Sequence, residues 1–166
     1  MIWPWSKPKE AVLPRGLMYE ADALRAMIAD NPGYDENTIY QVYDSGPFIG
    51  LNWREMQKIY AKTRKWGLFI PEVRDCDKYT RAAAAEVNMI WAEMGGRKPL
   101  AHGTLAGLVP QDSGSLTAPI NNGHHSLCWF MDDNGDLYLY GAQQRSVKDR
   151  SEVLKIHKIS SITVGG

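Results

Sequence analysis

Cysteine is scarce in this chain of 166 residues: there are two, Cys76 and Cys128. Two thiols in a chain this long do not make a disulfide scaffold, although a single bridge stays open. No Cys-x-x-Cys pair and no Cys/His zinc spacing is present. Charge of one sign is lacking as well. Lys plus Arg and Asp plus Glu are both 19, so the net charge is zero. That argues against nucleic acid and anionic membranes as partners, since both need a basic face. No apolar run approaches membrane-spanning length. The start, Met1-Ile2-Trp3-Pro4-Trp5-Ser6-Lys7-Pro8-Lys9, has no apolar stretch of a secretory signal. Repeats and low-complexity tracts are missing. These absences point to one soluble domain with its own core, in a reducing cytoplasm.

What is present falls into two halves. Residues 1–16 carry prolines at 4, 8 and 14 with Trp3 and Trp5, and read as an extended arm ahead of a single domain over 17–166. Apolar spacing predicts a helix from Met18 to Ala29, stopped by Asn31-Pro32-Gly33. Tyr34 to Gly50 reads as loop. Asn52 caps a helix over Trp53 to Trp66, with Glu55 at the capping-box position. A further helix begins near Asp75. After Gly95-Gly96 the pattern changes to strands over Leu100–Val109, His124–Met131, Asp136–Ala142, Val153–His157 and Ile162–Val164. Asp132-Asp133-Asn134-Gly135 is a hairpin turn, because Asn-Gly supplies positive φ. Helices followed by an antiparallel sheet make an α+β protein.

The chemistry of the chain centres on Arg74-Asp75-Cys76-Asp77-Lys78-Tyr79. Asp75 suits an N-cap, and Ala82 to Ala85 favour helix. Cys76 therefore sits in the first helical turn, where the helix dipole favours a thiolate. The flanking aspartates oppose that ionisation. Equally, a cysteine at a helix start is an ordinary small buried residue. Gly123-His124-His125 opens a strand, and Gln143-Gln144 closes the partner strand. A nucleophile on a helix, a histidine base on a strand and a polar group beside it is the layout of a thiol protease. Alternation puts His124 and His125 on opposite faces, so one of the two faces the helix.

Three segments also carry a likeness to a known family: Asp75-Cys76-Asp77-Lys78-Tyr79-Thr80, Gly123-His124-His125-Ser126-Leu127 and Tyr140-Gly141-Ala142-Gln143. From about Tyr40 to Gln144 the chain resembles the papain-like cysteine-protease domain of the fairy-ring mushroom agglutinin and related bacterial and phage proteins. The resemblance implies a papain-like fold, with a central Cys-bearing helix packed on a C-terminal antiparallel sheet. It implies a cysteine hydrolase of peptide or amide bonds, with Cys76 as nucleophile, His124 as base and Gln143 (or Gln144) orienting the imidazole. Family members use calcium, for which Asp75 and Asp77, with the turn acids Asp132 and Asp133, are oxygen donors. The same acids serve equally as cap and turn residues. The chain departs from the family at Lys78 and at Gly141, where the family has acids.

Those departures open a second expectation: a degenerate structural or interaction protein on the same fold. It would be a phage virion component docking through its N-terminal arm, in place of a hydrolase acting on a peptide-like substrate. Location would then be virion-associated rather than cytoplasmic. A third expectation is a calcium-dependent carbohydrate-binding module in which tryptophans stack on sugars; against it, most of the tryptophans sit at helical spacing and read as core, and the sugar-binding domain of the fungal agglutinin is a separate repeat domain that this chain does not resemble.

Overall fold

The computed structural model describes residues 14–65, 76–108, 124–142, 145–148, 156 and 158–165. In chain order the elements are β1 (Gly16–Tyr19), α1 (Ala21–Ala29), β2 (Ile39–Val42), β3 (Phe48–Leu51), α2 (Trp53–Ala61) and α3 (Cys76–Glu93). They continue with β4 (His102–Leu108), β5 (His124–Met131), β6 (Leu137–Gly141), β7 (Ser146–Lys148) and β8 (Lys158–Val164). β1 and β3 pair as a small antiparallel sheet. The other strands form a six-stranded sheet in the order β2-β8-β4-β5-β6-β7.

Side chains alternate across this sheet, and each face meets a different layer. Leu105, Leu127, Trp129, Leu139, Ile162 and Val164 point one way and pack with Leu24 and Ile28 of α1. Cys128, Phe130 and Tyr140 point the other way, against Met56, Ile59 and Tyr60 of α2 and Ala83, Ala84 and Val87 of α3. β5 is buried on both faces from Ser126 to Met131, which is why Leu127-Cys128-Trp129-Phe130-Met131 is a continuous apolar run rather than an alternating one. Aromatic rings fill the helix side: Tyr60 stacks on Tyr140 with centroids 4.3 Å apart, and Phe130 on Tyr138 at 5.2 Å. Fully burying such a side chain contributes about 1.5–3 kcal/mol.

Several local readings hold. Asn52 caps α2, its side chain accepting from the Arg54 N–H at 3.0 Å. The Asp132–Gly135 turn joins β5 to β6, with Gly135 at φ 85° and the Asp132 carboxylate accepting from the Asn134 and Asp136 N–H groups, each at 2.9 Å. The α+β division is observed.

Other expectations need correction. The sheet is mixed rather than antiparallel, because β2 runs parallel to β8. The stretch 34–50, read as loop, holds β2 and β3. Each finds its partner far away in sequence, a pairing that local pattern does not display. The helix expected from Met18 starts at Ala21, because Gly16–Tyr19 is drawn into pairing with Phe48–Leu51, and the Tyr19 hydroxyl donates to the Asp132 carbonyl at 2.6 Å. α2 stops at Ala61 rather than Trp66. The Thr63 hydroxyl bonds the Tyr60 carbonyl, and Arg145 caps the freed carbonyls. Most of the arm, the link before Cys76, the loop over 109–123 and the strand expected at Val153–His157, apart from Ile156, lie outside the described residues.

Arg145 ties three elements together. It adopts φ 56°, costly for a residue with a Cβ. Its guanidinium donates to the carbonyls of Ala61, Thr63 and Arg64 at 2.6, 2.9 and 3.1 Å. A cation at a helix C-terminus also meets the negative end of the helix dipole. Arg64 in turn pairs with the nearly buried Glu86 of α3 at 3.2 Å, and Glu86 accepts the Arg64 backbone N–H at 2.6 Å. Arg145→Ala is expected to lower unfolding stability by roughly 1–3 kcal/mol. Arg145→Gly should cost less, since glycine relieves the backbone. Urea unfolding of the three proteins checks the order; equal midpoints would show that the clamp contributes nothing.

Candidate functional site

α3 covers only part of the sheet. Its first turns lie on β5: the Thr80 hydroxyl donates to the Ser126 carbonyl at 3.0 Å, and the Cys128 thiol to the Thr80 carbonyl at 3.4 Å. Burial pushes that thiol up to about 12, so Cys128 is an inert core residue. Further along, His102 at the start of β4 is fully buried. Its Nε2 donates to Asn88 Oδ1 at 2.9 Å, and Nδ1 faces the Tyr60 hydroxyl at 3.4 Å. Burial lowers the His102 pKa from 6.5 to about 4, so the ring is a neutral strut between α3, α2 and the sheet.

Beyond the edge of α3 the same sheet face is open and polar. Thr104 of β4, Ser161 and Thr163 of β8 and Gln41 of β2 floor a cleft of about 470 Å³, with Asp77 and Arg81 of α3 along one wall. The volume suits a small ligand. The floor is held firmly. Thr163 Oγ1 accepts the Thr104 N–H at 3.0 Å and lies 2.9 Å from the Thr104 hydroxyl, while the Thr163 carbonyl accepts from the Trp129 indole at 2.8 Å. At the rim Tyr43 is 63% exposed, and its hydroxyl donates to Gln41 Oε1 at 2.9 Å. Hydroxyls, an amide and an exposed ring on a fixed floor can exchange hydrogen bonds with a polar ligand.

The residues expected from the sequence are placed as follows. Cys76 is the first residue of α3, half-buried, with its thiol 4.0 Å from Asp77 Oδ1. His124 is exposed at the start of β5, paired with Leu108. It shares the α3 side of the sheet with Ser126, whereas His125 points to the other side. Cys76 and His124 thus lie toward the same end of the α3–β5 contact. Gln143, Gln144 and Asp75 lie outside the described residues. Asp77 lines the cleft. Among the described residues no group of three or more His, Cys, Asp or Glu side chains is placed to hold a metal ion, and no helix is long and apolar enough to cross a membrane. Sequence reasoning passed over Thr104, Ser161 and Thr163. The signal was present as polar residues alternating with Leu105, Ile162 and Val164.

No family model matches the chain, and no curated protein matches it by sequence. Among solved structures it is similar to one described as a PSL1a–E64 complex, with a TM-score of 0.68 and 14% identity over 89% of this chain and 50% of that one. It is also similar to Polyporus squamosus lectin bound to the human-type influenza-binding epitope Neu5Acα2-6Galβ1-4GlcNAc. There the TM-score is 0.55, with 15% identity over 83% of this chain and 46% of that one. The chain therefore spans about half the length of these structures.

These findings overturn the identification made on the sequence. The fold is shared with a structure described as a lectin, so the identification as a papain-like cysteine hydrolase is withdrawn. The alternative of a degenerate phage virion component is withdrawn with it, as is the calcium requirement, since neither gains support from the comparisons. The physical reason is that a cysteine at a helix start, a histidine at a strand start and acids in caps and turns all arise from packing a helix on a sheet.

The His102 strut has a measurable consequence. Its folded-state pKa lies below its unfolded value, so the unfolded chain binds the proton more readily. The contribution is complete above pH 6.5 and is lost as pH falls toward 4. The loss amounts to on the order of 3 kcal/mol. Unfolding midpoints between pH 7 and pH 4 should therefore fall further in the native protein than in His102→Gln; parallel curves would exclude His102 as the source.

Proposed function

We propose that the chain is a carbohydrate-binding protein that holds its ligand in the cleft between α3 and the open face of β4, β8 and β2. The observation that carries this reading is the polar floor itself: Thr104, Ser161, Thr163 and Gln41 present hydroxyls and an amide side by side. The Thr104 and Thr163 hydroxyls bond one another, and each keeps capacity for a further bond, which favours a hydroxyl-bearing ligand over an apolar one. Tyr43 at the rim offers an exposed aromatic face with a polar tip, suited to the apolar side of a sugar ring. The similarity in fold to a lectin with a bound sialylated trisaccharide supports the same class of ligand. The likeness covers 46% of that neighbour, so the case for this chain rests on its own cleft.

Chemical-shift mapping of the chain against neutral mono- and disaccharides tests the reading. Shifts are expected at Gln41, Tyr43, Thr104, Ser161 and Thr163. Gln41→Ala on the floor and Tyr43→Ala at the rim, both exposed, should each weaken binding about fivefold to tenfold. Absence of any saccharide binding at millimolar concentration, or binding that maps elsewhere and ignores both substitutions, would defeat the proposal.

A further inference from the structure

The cleft is neutral on its floor and charged on its wall. Among the described residues that line it, Asp77 and Arg81 alone carry charge. They stand four residues apart on α3, so both project from one face of the helix. Four residues raise the helix by roughly 6 Å, a separation that a single sugar ring spans. An acid followed by a base at this spacing commonly closes into an ion pair. Here it does not: the ion pairs among the described residues are Lys58–Glu55 and Arg64–Glu86. Leaving the pair open costs little, because exposed pairs of this kind contribute little.

The two side chains differ in what else accounts for them. Asp77 lies in the first turn of α3, where the helix dipole favours an acid. Arg81 has no such use. It is exposed, it makes no ion pair or hydrogen bond among the described residues, and it lines the cleft. A carboxylate accepts from two hydroxyls at once, and a guanidinium donates to two oxygens at once. Adjacent hydroxyls of a sugar ring both donate and accept, so a vicinal pair fits an acid and a base presented one turn apart. A ligand with a single charge gains at one of the two residues and loses at the other, since both lie within its reach.

We propose that Asp77 and Arg81 set the specificity of the cleft for an uncharged saccharide. They clasp a vicinal pair of hydroxyls between carboxylate and guanidinium, and they disfavour ligands that carry a single charge. This rests on the carbohydrate-binding reading above and adds the charge of the ligand and the groups that read it.

The test uses the full chain and two sugar series, glucose and galactose, each as the neutral sugar, its uronic acid and its 2-amino sugar. Affinities are measured by chemical-shift titration at low salt and mildly acidic pH, where the amino sugars are cationic, for the native protein, Asp77→Asn and Arg81→Gln. The native protein is expected to bind the neutral sugar about threefold to tenfold more tightly than either charged one. Asp77→Asn should weaken the neutral sugar and move the preference to the uronic acid, which then meets Arg81 alone. Arg81→Gln should move it to the amino sugar, which then meets Asp77 alone. Both reversals should fade as salt rises. A role confined to holding α3 would move all affinities together and reverse no preference. Arg81 is exposed, so Arg81→Gln decides the matter even where Asp77→Asn disturbs the helix start. Neutral sugars that bind at Gln41 and Tyr43 with one order of preference in all three proteins would overturn this inference and leave the carbohydrate reading standing. Failure of every sugar in both series to bind at millimolar concentration would overturn it as well, and the neutral mono- and disaccharides then decide whether that reading falls too.

Discussion

β8 lies inside the sheet, so its backbone must be hydrogen-bonded along both edges. It meets that demand with β2 in parallel on one side and β4 antiparallel on the other. The same strand divides its side chains between two tasks. Ile159, Ile162 and Val164 are fully buried in the core shared with α1. Ser161 and Thr163 face the opposite way and floor the cleft. Bonds at the end of β8 extend this control: the Tyr43 N–H reaches the Val164 carbonyl, and the Gly165 N–H the His102 carbonyl. Core and cleft floor are therefore consequences of one strand's position.

The open face follows from dimensions. Six strands spaced about 4.8 Å apart span roughly 24 Å. A helix with its side chains is about 10–12 Å across. α2 and α3 together cover the face from β4 to β6, and β8 and β2 are left beyond the edge of α3. Ser161, Thr163 and Gln41 make that face largely polar, with Ile39 exposed beside them, and the step from helix to uncovered sheet makes the cleft wall. The cleft is the space left when two helices are laid on a wide sheet.

Rigidity at the site comes from groups that are not themselves ligand-facing. The His102 strut joins Asn88 of α3 to the sheet, and the Trp129 indole holds the β8 backbone from the far side. Arg145 and the Arg64–Glu86 pair fix the far end of α2 against α3. A polar floor held in place loses little freedom when it binds, which is the condition for hydrogen bonds to contribute to affinity.

The sequence by itself determined the local elements. Asn52 starts α2, the alanine-rich run after Cys76 is a helix, and Asp132 to Gly135 turns β5 into β6, because caps, propensities and turn conformations depend on neighbouring residues. It also determined the α+β division. The tertiary structure alone decided the rest. β1, β2 and β3 exist through partners distant in sequence. The parallel pairing of Ile39–Val42 with Ser161–Val164 makes the sheet mixed, and no local pattern encodes it. Cys76, His124 and the aspartates drew attention because their chemistry is distinctive one residue at a time. Thr104, Ser161, Thr163 and Gln41 are unremarkable in the chain, and come together to line the cleft only when the order of strands sets them on the face that α3 leaves uncovered.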